Sequence, residues 1–159
     1  MNAADVLKYG QETLLRTLDE IPSAAWETKG VCGWWSAKNI IAHLASYELV
    51  LNDILRSFLG EKVTPMLELY TSGAFNDRQV EIRQSKSPAE TLAELQQAHT
   101  QVMTLIVQIP AETIRRPGTI PWYGEEYALD DLICYMYYGH KREHSAQIAV
   151  FKDTLKLKS

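Results

Sequence analysis

The chain has 159 residues, 46% of them hydrophobic and 23% charged, a balance that excludes intrinsic disorder and suits one domain with a core of its own. Only 8 glycines and 6 prolines argue against a turn-rich sandwich or barrel, and a net charge of −4 without a basic run excludes a nucleic-acid footprint. No apolar run approaches the roughly 18 residues needed to span a bilayer, so no membrane partner is expected.

Asp5, Glu12, Asp19 and Glu20 interrupt the first twenty residues, which therefore do not read as a signal peptide. Cys32 and Cys134 form no CxxC and suggest no disulfide framework, so a cytoplasmic setting is expected. No repeat, low-complexity tract or linker divides the chain, and residues 1–159 read as a single domain.

Four long segments carry helical periodicity. The first, about Ala3 to Glu20, aligns Val6, Leu7, Leu14, Leu15 and Leu18 and is closed by Ile21-Pro22. The second starts at the N-cap Ser36 and runs an apolar seam through Ile40, Leu44, Tyr47, Leu51, Ile54 and Phe58 to Gly60. The third opens on Ser87-Pro88-Ala89-Glu90, a capping-box pattern, and stops at Ile109-Pro110. The fourth opens at Leu129-Asp130-Asp131 and places Ile133, Met136, His140, His144, Gln147 and Phe151 on one face. Lys141-Arg142-Glu143 then falls on a polar outer face. An all-α four-helix bundle is the economical expectation, with a long crossover between helices 2 and 3 in which Ala74 to Arg83 forms an extra helical piece.

The chain holds only four histidines. His140 and His144, four apart on a helix, present both imidazoles about 40° apart on one face. That face is the one expected to point at the core, where imidazoles are costly unless hydrogen-bonded or bound to a metal. His43, two turns into helix 2, is the third inward candidate. Three histidines with one open position suit a catalytic or labile metal site, and the alternative is satisfied core histidines. Three imidazoles suit nickel, zinc, copper or iron alike. His99 reads as a packing or hydrogen-bonding residue. The string His140-Lys141-Arg142-Glu143-His144 also fits an inverted zinc-protease motif, but there is no strand pattern to build a substrate sheet. Glu143 then serves as a partner or base beside the site, or as a solvated charge. Cys32 has no clearly activating basic neighbour, and Cys134 reads as packing.

Trp35-Ser36, then His43-Leu44 and Glu48, followed far downstream by His140-x-x-x-His144-x-x-Gln147-Ile148, resembles the DinB/YfiT-like superfamily of metalloenzyme-type proteins. The resemblance implies an up-down-down-up four-helix bundle and a divalent metal, nickel or zinc, held by His43, His140 and His144. It also implies a homodimer and chemistry on low-molecular-weight thiols or by hydrolysis.

Two functions follow. One is a metal-dependent enzyme that activates a water or a thiol, with a small thiol or electrophile as substrate; its catalytic residues are left unknown. The other is a metal- or small-molecule-binding stress-response protein without turnover. A pocket would draw on Tyr47, Trp34, Trp122 and Tyr123. Trp35 staples helix 2, while Tyr137 and Tyr138 pack.

Overall fold

The computed structural model describes residues 2–158, and these fold into helices with no strand among them beyond one isolated bridge between Cys32 and Trp35. The long helices are α1 (Ala3–Leu18), α2 (Ala37–Phe58), α5 (Pro88–Ile106) and α8 (His140–Lys158). Short helices α3 (Pro65–Thr71) and α4 (Phe75–Glu81) fill the crossover, and α6 (Ala111–Ile114) and α7 (Leu129–Leu132) precede α8. Helix α7 runs into α8 through a π-helical turn, Ile133–Gly139, so the last thirty or so residues form one continuous rod. No helix among the described residues is long and apolar enough to cross a membrane.

Local chemistry sets the helix starts. The Ser36 hydroxyl caps the Asn39 amide at 3.2 Å while the Asn39 side chain accepts from the Ser36 amide at 2.9 Å. Ser87 and Glu90 make the reciprocal pair at 3.1 and 2.7 Å. The extra helical piece expected from Ala74 to Arg83 is α4. Helix α3, without a capping side chain of its own, borrows one from α2: the Asp53 carboxylate accepts the Met66 and Leu67 amides at 2.7 and 3.2 Å. That long-range cap docks the crossover on α2.

Helix α2 packs on α5, α1 packs on α8 and the π turn, and α1 also meets α5. The apolar interior is divided in two. Leu7, Val50, Leu51, Ile54, Leu55, Val102, Ile106, Leu132 and Tyr137 form one core, and Leu14, Leu18, Ile40, Ile41, Leu44, Leu95, Ile148 and Phe151 the other. Between them every long helix contributes a buried polar residue: Gln11 from α1, Glu48 from α2, His99 from α5 and Lys141 from α8.

The π turn corrects the expected face of the fourth helix. One added residue rotates everything after it by about 100° relative to an unbroken α-helix. Tyr137 and Lys141 consequently face inward, whereas Met136 and His140 sit half-buried at the edge. Lys141, expected on the outer face, is 2% exposed because it turns toward Glu48.

Candidate metal centre

His43 is buried two turns into α2, and His140 and His144 occupy the first two turns of α8. The three side chains meet at the boundary between the two cores. The His140 Nε2 lies 2.9 Å from the His43 Nε2 and 3.0 Å from the His144 Nε2, and one nitrogen from each ring falls within 4.8 Å of the others. Each imidazole nitrogen carries either a proton or a lone pair. The His140 Nε2 can therefore complete a hydrogen bond with only one of its two neighbours, and hydrogen bonding alone does not satisfy the cluster.

A cation does fit this donor set. Two nitrogens each about 2.0–2.1 Å from a common ion lie about 2.9 Å apart at right angles and about 3.4 Å apart at the tetrahedral angle. The charge state fits as well. Burial, then repulsion from His140 and His144, pushes His43 down to about 2. Burial, then His144, pushes His140 down to about 4, and burial lowers His144. All three are thus neutral near pH 7, the form in which imidazole binds metals.

Two of the rings are aimed from behind. The His144 Nδ1–H donates to Gln147 Oε1 at 2.8 Å, and the His140 ring bonds the Met136 backbone in the π turn. These bonds direct both Nε2 atoms at the cluster. The His43 Nδ1 is buried without a partner.

Of the expected pocket residues, the structure brings two together. The Tyr47 ring lies 4.7 Å from His43 and 4.8 Å from His140, centre to centre, and its hydroxyl donates to Asn76 Oδ1 at 3.2 Å. Burial and the neighbouring Tyr70 raise Tyr47 to about 12, so it remains a phenol. Tyr47 and Trp122 line one cleft of about 650 Å³ with Tyr70, Phe75, Asn76 and Asp77. Tyr47 also borders a smaller cleft of about 270 Å³ with Met136, His140 and Glu143. Trp34 and Tyr123 line neither: Trp34 is 43% exposed beside Trp35 and Lys29, and Tyr123 packs between Trp122 and Tyr127.

Three features escaped sequence reasoning. Trp35, read as a staple, lies with its ring 4.8 Å from that of His43 and walls the cluster. Tyr70 and Phe75 join the aromatic wall only because α3 and α4 fold back over α2. The third is the buried node beside the histidines. The Lys141 Nζ lies 2.5 Å from Glu48 Oε1, out of line for a regular hydrogen bond, and donates to Gln11 Oε1 at 2.8 Å. His99 Nδ1 approaches the other Glu48 oxygen at 3.2 Å, so His99 is the hydrogen-bonding residue expected of it. Gln11, Glu48 and His99, polar residues at stripe positions of their helices, were the available signal; Lys141 carried none.

Residues 7–148 match the family model of the DinB superfamily. No curated protein and no solved structure matches the chain.

Proposed function

The chain belongs to the DinB superfamily, and on that premise we propose that His43, His140 and His144 hold a divalent metal, nickel or zinc, in an enzyme that activates a water or a low-molecular-weight thiol. The observation that carries this reading is the convergence of three neutral Nε2 atoms, with two contacts at one nitrogen that hydrogen bonding cannot both satisfy. A four-helix bundle of up-down-down-up course completes the reading, supported by the pairing of α2 with α5 and of α1 with α8.

A divalent cation at this site supplies Lewis acidity that brings the pKa of a water or thiol toward neutrality. The protein residues divide the remaining work. Tyr47 stays protonated and stands between the two clefts, where its hydroxyl can donate to a bound molecule in place of Asn76. Trp122, Tyr70 and Phe75 offer apolar rings to the organic part of a substrate. Glu143, exposed on the rim of the smaller cleft, is the carboxylate placed to exchange a proton with bulk water.

The test is conjugation of a small electrophile to a low-molecular-weight thiol, and hydrolysis of activated esters, by metal-loaded and metal-stripped protein. Turnover that appears on loading and is lost in His140→Ala supports the enzyme. Ligand-induced stabilisation of loaded protein without any product would favour the non-catalytic binder instead.

A further inference from the structure

A buried lysine and a buried glutamate beside the histidines have a cost that packing does not explain. Glu48 is 0% and Lys141 2% exposed, and an apolar pair of similar volume in such a place is commonly neutral or stabilising. What the pair does instead is connect. Through Glu48 it joins α2 to α8 and to His99 of α5, and through the Gln11 contact of Lys141 it reaches α1. Asn52, one turn on from Glu48, bonds both the Glu48 and Ala98 carbonyls at 3.0 Å and fixes α2 against α5 at the same level.

Lys141 is also the residue directly after His140, and both follow the π turn at once. The rotation of the rod at this point decides two things together: whether Lys141 reaches Glu48, and where His140 and His144 aim. In an unbroken α-helix the histidines would be turned by about 100° relative to Ile133. Burying Lys141 without its partner is costly, so the rotation that pairs it is the one the fold selects.

We propose that the Glu48–Lys141 pair is a register lock for the histidine cluster, holding α8 in the rotation created by the π turn so that His140 and His144 face His43. The two residues are positioning residues. The inference rests on reading the cluster as a metal centre, but its geometric part stands apart from the metal.

Glu48→Leu/Lys141→Met removes both charges at once, and it is compared with wild type in two ways. In metal-free protein, nuclear Overhauser contacts between the His43 and His140 rings report the cluster. In zinc-loaded protein, chelator competition reports affinity. The melting temperature is expected to hold or rise, while the ring contacts vanish and zinc binds at least about tenfold more weakly, the scale seen when groups behind metal ligands are lost. A purely structural pair would lower the melting temperature and leave the ring contacts alone. Ring contacts retained in the variant, or zinc affinity within threefold of a zinc-binding wild type, overturn the lock. Should the double variant fail to fold, Glu48→Gln decides by the same two readings. Wild type that shows the ring contacts yet binds no zinc overturns the metal reading only, and the ring contacts then decide the lock.

Discussion

A neutral histidine in a folded protein is a standing debt to pH, and this chain has three of them side by side. His43 is depressed from its ordinary 6.5 to about 2, His140 to about 4, and His144 is lowered too, mainly by burial. Below pH 6.5 the unfolded chain takes up protons that the folded chain refuses. The stability these residues contribute is therefore complete above that pH and drains away as pH falls through the folded values. Metal-free protein is expected to show a urea midpoint that is level from pH 7.5 to about 6.5 and falls from there to pH 5, and His43→Leu/His140→Leu to show a flatter profile. A wild-type midpoint that is constant over this range would contradict the neutral cluster. Glu48 titrates lower: burial raises it, but Lys141 and His99 outweigh burial and hold it below the usual carboxylate range. The histidines themselves were legible because they are few, because His140 and His144 are spaced by a helical turn, and because His43 lies beside the apolar seam of its helix. Lys141 and Trp35 were not, since nothing local tells a lysine next to a histidine that a glutamate waits 93 positions away.

Helix ends and helix faces differ in how far they can be read. Ser36 and Ser87 cap with partners three residues away, so both starts follow from adjacent sequence. The π turn follows from contacts across the fold, and an unbroken 3.6-residue period placed Met136 where Tyr137 belongs. Helix α3 was missed for the same reason, because its cap is Asp53 of another helix. The π turn also needs room on its α1 side. A side chain at Gly10 would meet the Tyr138 ring 3.3 Å from its first carbon, with the Tyr138 Cα close behind at 3.6 Å. Gly10→Leu is expected to force the two elements apart and to lower unfolding free energy by about 1–3 kcal/mol, as overpacking does. Urea denaturation checks this; a variant as stable as wild type would mean that α1 does not seat the π turn.

At the scale of the molecule, two apolar cores lie end to end with a polar layer between them, and the histidine cluster occupies that layer. Apolar residues of similar volume in such a layer are commonly as stabilising or more so, so packing alone does not account for its buried charges. Tyr47 borders both clefts, and His140 opens onto the smaller one. The helical class and the histidine trio could be read from periodicity, while the aromatic wall depended on how the crossover folds back. We propose that this layer holds a metal, and elemental analysis of untagged protein reconstituted with nickel or zinc, wild type beside His43→Ala and His144→Ala, decides it. The expected result is roughly one ion per chain in wild type and its loss in both variants; metal-free wild type, or variants that keep the full complement, would contradict it.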